Sequence, residues 1–242
     1  MITVPAYTAG QVAAAELPLL DRGEPLMARA AAALAEIARK EGVLGDRGIL
    51  ILAGRGDNGA DALLAGGHLA AAGLTVDAVL TAGDARPHAV EAAVVHGVRI
   101  RDAADIHPGE HSVIVDGILG IGTQGDPVLR GDARSVVAAL LPAVRVGRAH
   151  VVAVDLPSGL HPDLGTVADD LVLPAAITAT FGAVKAGLAR GRGPELTGYL
   201  VLVDIGLDLR TAEPAGTAAV DEIVEARDPS AGVAVDERAQ HL

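Results

Sequence analysis

The chain has 242 residues, half of them hydrophobic, yet it contains one Phe, two Tyr and no Trp, so its core must be built from Ala, Val, Leu and Ile and it offers almost no stacking platform for nucleobases. A net charge of −12 and no basic run argue against nucleic acid as a partner, and the absence of cysteine excludes disulfides and thiolate chemistry. The first residues lack the charged start and apolar core of a signal peptide, and no apolar run reaches the ~18 residues of a membrane span, so a cytoplasmic protein with no membrane partner is expected.

In chain order, residues Glu24 to Glu41 read as a helix. Alanine dominates it, and Leu26, Met27, Ala30, Leu34 and Ile37 share one face. Apolar bursts then recur at Ile49–Ala53, Val76–Leu80, Val98–Ile100, Val113–Val115, Val151–Val154, Ile177–Phe181 and Leu200–Val203. They are apolar throughout rather than alternating, the signature of strands covered on both faces. Alanine-rich helical stretches separate several of them, at Ala60–Ala72, Ala89–His96 and Ser135–Val144. Strand–helix–strand alternation with right-handed crossovers predicts an α/β fold, a mostly parallel sheet between two helical layers. One domain is expected over residues 1–210. Residues 211–242, rich in Ala, Asp, Glu and Arg, are expected to form a weakly structured tail.

In such a sheet ligands bind beyond the carboxyl ends of the strands. Four strand ends carry small residues there: Gly54-Arg55-Gly56-Asp57-Asn58-Gly59-Ala60-Asp61, Asp116-Gly117 through Gly125, Asp155-Leu156-Pro157-Ser158-Gly159 and Gly182 through Leu188. Each has an ordinary structural explanation. A glycine relieves strain at a turn, Asp116 suits a helix N-cap, and Ser158 suits a local turn hydrogen bond. Gly54, Gly56 and Gly59 formally match a dinucleotide fingerprint, with Asp77 the acidic residue about 20 positions on. Together, the four ends offer backbone amides that can cradle phosphates. The oxygens of Asn58, Asp116 and Ser158 suit a hard cation.

The segments GDNGAD, VDGILGIGTQGD, VVAVDLPSG and TFGAVKAGL, in this order, resemble the NAD(P)H-hydrate epimerase family, the YjeF N-terminal domain. The resemblance extends from about residue 8 to about residue 208, through the closing strand at Gly198–Leu207. It implies a Rossmann-like three-layer α/β/α sandwich, frequent homodimers and one potassium ion per subunit. It also implies epimerisation of the R and S hydrates of NADH and NADPH, one of which a partner dehydratase repairs. Residue by residue, it assigns Asn58, Asp116 and Ser158 to the potassium ion. Asp57, Asn58, Gly59, Ala60 and Asp61 match the first substrate-binding loop. Gly120, Ile121, Gly122, Thr123, Gln124, Gly125 and Asp126 match the second. Asp155 matches a substrate contact and the acid/base. Asp57 and Ala60 depart from the family's Asn and Gly. Asp57 brings negative charge to a loop that meets an anionic dinucleotide, and is expected against the cation or Arg55. Lys185, the one basic residue near the later strand ends, is expected on the substrate side or in solvent. The chain ends at Leu242 without room for a fused dehydratase, so a separate one is expected. Two other readings stay open: another NAD-dependent enzyme using Gly54–Gly59, and a non-catalytic nucleotide- or RNA-binding module on the same fold.

Overall fold

The structure, a computed structural model, describes residues 1–43, 47–122 and 127–226. Its elements in chain order are β1 (Ile2–Tyr7), α1 (Ala9–Asp21), α2 (Leu26–Val43), β2 (Gly48–Ala53), α3 (Asp57–Ala71), β3 (Val76–Leu80), α4 (Pro87–Val95), β4 (Arg99–Ile100), β5 (His111–Gly117), α5 (Gly131–Arg145), β6 (His150–Val154), β7 (Ile177–Phe181), β8 (Val184–Lys185), α6 (Gly193–Leu196), β9 (Tyr199–Asp204), β10 (Gly216–Val220) and β11 (Glu222–Glu225). All seven apolar bursts are strands of one sheet. The eight strands lie in the order β11-β9-β7-β6-β5-β2-β3-β4, and every neighbouring pair is parallel.

The apolar strands are buried on both faces because helices cover both. Ile49, Ile51 and Ala53 of β2 point into a core shared with α2, α3 and α4. Leu50 and Leu52, one step out of phase, point into a second core under α5. This is the three-layer sandwich expected from the sequence. The chain runs outward from β2 through β3 to β4, then returns to β5 on the other side of β2. The order of winding reverses between β2 and β5, and this leaves a crevice at their carboxyl ends.

The sequence reading overlooked several elements. The β1 strand pairs antiparallel with β10 and parallel with β8, making a small second sheet. Helix α1 follows β1 through a capping box. The Thr8 hydroxyl accepts from the Gln11 amide at 3.2 Å, and the Gln11 side chain accepts from the Thr8 amide at 2.9 Å. The weakly structured tail expected from residue 211 is corrected for its first part. Residues Gly216–Val220 and Glu222–Glu225 are strands, one in each sheet. Their short length and interspersed glutamates hid them, since β10 is half-covered and β11 is an edge strand, where charge is tolerated. Residues 227–242 lie outside the described residues.

The fingerprint acid is also corrected. Asp77 is the second residue of β3, at the amino end of the sheet and away from the crevice. Its carboxylate accepts from Arg99 Nε at 2.7 Å and Arg101 Nη1 at 3.1 Å, and lies 2.9 Å from His111 Nε2. Burial pushes its pKa up, but hydrogen bonds from His111 and Arg99 outweigh burial and hold it below the usual carboxylate range. It is a structural anchor and cannot reach a ribose at the crevice.

The glycine-rich turn after β2 serves the protein's own backbone. A Cβ on Gly54 would lie 1.9 Å from the Ile118 carbonyl oxygen, and one on Gly59 would lie 2.1 Å from the Gly54 carbonyl oxygen. Only glycine lets α3 start so close to the end of β5. Gly59→Ala is therefore expected to lower unfolding stability by about 3 kcal/mol, the cost of overpacking against rigid backbone. Gly56→Ala, whose Cβ would meet nothing within 4 Å, should cost far less. Chemical denaturation of both variants checks the pair.

Candidate active site

Strand β6 ends at Val154, and the next residue, Asp155, takes φ +70°; among the described residues it alone is non-glycine with positive φ. A left-handed backbone costs an aspartate of the order of 1–3 kcal/mol and persists where surrounding structure imposes it. Here the imposing contacts are visible. The Asp155 amide donates to the Ala179 carbonyl at 2.8 Å. Its Oδ1 accepts from the Phe181 amide at 3.2 Å, from the Thr180 hydroxyl at 3.2 Å and from the Lys185 ammonium. Lys185 reaches it because β7 turns sharply at Gly182, at φ +71°, into β8. The ammonium also donates to the Phe181 carbonyl at 2.8 Å and the Thr180 hydroxyl at 3.4 Å. Asp155 and Lys185 are both buried. Lys185 is thus neither solvated nor simply on the substrate side: it is a buried partner of Asp155.

The pair forms part of the wall of a cavity of about 370 Å³ at the carboxyl ends of the strands. Its apolar side comes from Leu26, Met27, Phe181 and Ile205, and its polar side includes Glu16, Asp57, Asp61 and Arg86. Burial raises the pKa of Glu16, and the neighbouring Asp155 and Asp57 add to the rise against the opposing pull of Lys185. Burial also raises Asp61 well above the ordinary value, reinforced by Asp57, Asp155 and Glu16. A larger groove of about 500 Å³ runs between α1 and residues 206–212. It contains none of the strand-end residues.

Behind the cavity floor, a second cluster joins three of the expected residues. Asp116 at the end of β5 is not a helix N-cap. It accepts from the Ser158 amide at 2.9 Å and the Ile118 amide at 3.4 Å. The Ser158 hydroxyl accepts from the Leu119 amide at 2.9 Å. The Asn58 side-chain amide donates to the Leu119 carbonyl at 3.2 Å and the Val154 carbonyl at 2.6 Å. Gly120 is needed here, since a Cβ on it would lie 2.6 Å from the Asn58 side chain. Apart from the Asn58 nitrogen, the side-chain and carbonyl atoms that meet here are oxygens, with one buried carboxylate that has no cationic side chain among its hydrogen-bond partners and whose pKa burial pushes up. This set fits a single hard cation of low charge. Asn58 presents its nitrogen, not its oxygen, to the two carbonyls; turning the amide over would set its oxygen beside them, an arrangement that a bound cation would have to compensate.

The structure therefore brings together Asp57, Asn58, Asp61, Ile121 and Asp155 on the cavity wall, with Asp116 and Ser158 behind them. Gly59 and Ala60 lie beneath, packed on the protein itself, and the added methyl of Ala60 is absorbed in the core. Asp57 pairs with Arg86 at 2.5 Å, while Arg55 lies 3.5 Å from Asp84. The expected alternatives for Asp57, the cation or Arg55, are thus both replaced by Arg86. Gly122 lies at an exposed turn, and Thr123, Gln124, Gly125 and Asp126 lie outside the described residues. The sequence reading missed Glu16, Arg86, Phe181 and Ile205 as cavity residues. Glu16 was the hardest to find, because its alanine-rich surroundings carry no chemical signature.

Comparison with known proteins places this geometry. Residues 23–187 match the family described as YjeF-related protein N-terminus. A protein of Microbacterium testaceum named NAD(P)H-hydrate epimerase is 51% identical over 226 residues, which are 92% of this chain and 87% of that protein. One of the same name from Clavibacter michiganensis is 47% identical over 221 residues, 88% of this chain and 95% of its own length. A bifunctional NAD(P)H-hydrate repair enzyme of Mycobacterium tuberculosis is 37% identical over 97% of this chain, which matches 48% of the longer protein. The crystal structure of a yeast protein superposes with a TM-score of 0.66 at 19% identity, over 76% of this chain and 83% of the other. The YjeF-related N-terminal family is the one to which this chain belongs.

Proposed function

We propose that the protein interconverts the R and S epimers of NADH and NADPH hydrates, as part of nicotinamide cofactor repair. The observation that carries the reading is the buried Asp155–Lys185 pair on the wall of a half-apolar, acidic cavity. Two relatives named NAD(P)H-hydrate epimerase over most of their length support it. The hydrate carbon bears a hydroxyl next to a ring nitrogen. The nitrogen lone pair can expel the hydroxyl, leaving a flat cation that water attacks from either face. An apolar wall accepts the flat ring, and a buried carboxylate stabilises its positive charge where water is scarce. Asp155 is proposed to exchange protons with the reacting oxygen. Residues 57–61 and 120–126 are proposed to hold the rest of the dinucleotide, with the amino end of α3 turned toward its phosphates.

A potassium ion is proposed at Asn58, Asp116 and Ser158, helped by the Leu119 and Val154 carbonyls. Bound there, it would supply a fixed positive charge that offsets Asp116 and locks the strand ends in place. A separate dehydratase acting on one epimer is the proposed functional partner, in line with the bifunctional name of the Mycobacterium tuberculosis relative. A homodimer is proposed as well; Val94 and Val95 at the end of α4 are exposed apolar residues that a second copy would cover. No helix among the described residues is long and apolar enough to cross a membrane, and a cytoplasmic setting is proposed.

The direct test uses a mixture of R and S hydrates of NADH. An S-specific dehydratase is added until only the R epimer is left, and this protein is then added with potassium chloride. Consumption of R well above the spontaneous rate is expected by chromatography; no acceleration by folded protein would favour a binding module. Asp155→Asn is expected to slow turnover about 10³-fold, the scale of lost acid–base catalysis. Asparagine tolerates the left-handed backbone, but Lys185 loses its counter-charge, so stability should fall by about 3 kcal/mol. Adding Lys185→Met to Asp155→Asn should recover that stability without activity, which separates folding from chemistry. For the ion, potassium chloride should raise the melting temperature relative to choline chloride at equal ionic strength, by an amount that grows with the logarithm of concentration. Asp116→Asn and Ser158→Ala should each remove this shift, and a shift that persists in both would move the ion elsewhere.

A further inference from the structure

We infer that Asp61 delivers the proton to the hydroxyl that leaves the hydrate, while Asp155 receives the proton of the water that adds. This division of labour rests on the epimerase reading above and assigns its two proton transfers to two different carboxyl groups.

Asp61 lies in the second turn of α3, four residues after Asp57 and three after Asn58, so all three share one helix face. It is 7% exposed and lines the same cavity as Asp155. Its Oδ1 is buried with no hydrogen-bond partner; among the described residues only one other buried side-chain atom, His111 Nδ1 at the far end of the sheet, shares that condition. A carboxyl retained for structure is normally hydrogen-bonded. Asp61 does not cap α3 either, since Gly56 is the N-cap. The small part of Asp61 that stays accessible belongs to the cavity lining, so the carboxyl group has no structural partner and borders the cavity.

Its surroundings suit a proton donor. Asp57 from α3, Glu16 from α1 and Asp155 after β6 face it with negative charge, and only Arg86, before α4, opposes them. Burial and these carboxylates favour the protonated form of Asp61. The Lys185 ammonium is committed to Asp155, while Asp61 has no cationic or hydrogen-bonding partner of its own, so the two carboxyls of one cavity stand in different surroundings and suit different roles in proton transfer.

The step balances without any redox partner. The carbon–oxygen bond breaks, its electron pair leaves with oxygen, and that oxygen takes the Asp61 proton and departs as water. The nitrogen lone pair forms the carbon–nitrogen double bond. A water oxygen then bonds to the same carbon from the opposite face, the double-bond pair returns to nitrogen, and the released proton goes to Asp155; in the reverse direction the same step runs backwards, Asp155 giving the proton and Asp61 taking it. Passage of that proton through cavity water back to Asp61 resets the site.

The test compares wild type, Asp61→Asn and Asp61→Glu in the hydrate assay across pH. Wild-type kcat should fall on the alkaline side as Asp61 ionises. Asp61→Asn should lose about 10²-fold or more in kcat, with KM within a few-fold, and should lack that alkaline fall. Asp61→Glu should restore part of the rate and the fall with it. Infrared difference spectroscopy reads the same proton without turnover: a protonated-carboxyl band present at neutral pH in wild type should vanish in Asp61→Asn. Folding is checked by melting. Native Asp61 keeps its proton above the ordinary value of 3.8, where the unfolded chain has released it, so wild-type stability falls as pH rises from there to the native pKa. Asp61→Asn escapes this loss and should melt no lower than wild type at neutral pH. An Asp61→Asn enzyme that keeps its rate and its alkaline fall, or a wild type without the infrared band, overturns the assignment. An inactive wild type that carries the band overturns the epimerase reading and the assignment with it.

Discussion

The contact between Asp155 and Lys185 organises this end of the molecule. Two opposite charges lie out of water, and taking them there is costly unless each is fully bonded. The fold meets that requirement from three directions. The residue that follows β6 supplies the carboxylate, β7 supplies the Phe181 amide and the Thr180 hydroxyl, and β8 supplies the ammonium. The left-handed backbone at Asp155 and the tight turn at Gly182 follow from bringing these groups to one point. The pair also depends on the small sheet, because β8 is only two residues long and is held beside β1.

The cavity next to the pair is divided in character. Leu26, Met27 and Phe181 offer a flat apolar wall, and four carboxyl groups face two cationic side chains across it. Such a site has little to offer a phosphate and much to offer a planar ring that becomes positive. Asp57, which reads in the sequence as an awkward charge, is neutralised by Arg86 rather than by a ligand.

Much of the framework was legible because parallel strands buried on both faces leave continuous apolar runs that little else imitates. The strand ends were legible for a related reason: in such a sheet, chemistry collects there. Elements that pack only on one side were not. Strand β1 is mostly exposed, β10 alternates and β11 carries glutamates at an edge. Nor could spacing show that Glu16 and Asp61 would share a cavity, since they come from different helices, or that Lys185 would be withdrawn from solvent. The glycines after β2 mislead in an instructive way. They look like room for a ligand, yet Gly54 and Gly59 are filled by neighbouring backbone, and the room they make is for α3.

The pairing of β1 with β10 has a consequence for how the protein is made. From the amino terminus, β1 must wait for a partner that is encoded beyond residue 215; until then it has only the two-residue contact with β8. Helix α1, which brings Glu16 to the cavity, hangs on that strand. The large sheet, apart from its last edge strand β11, can assemble from β2 onward as the chain emerges from the ribosome. The wall formed by α1 closes late, after nearly the whole chain has been synthesised, so a nascent or truncated molecule has most of its large sheet in place before the cavity beside it is walled in.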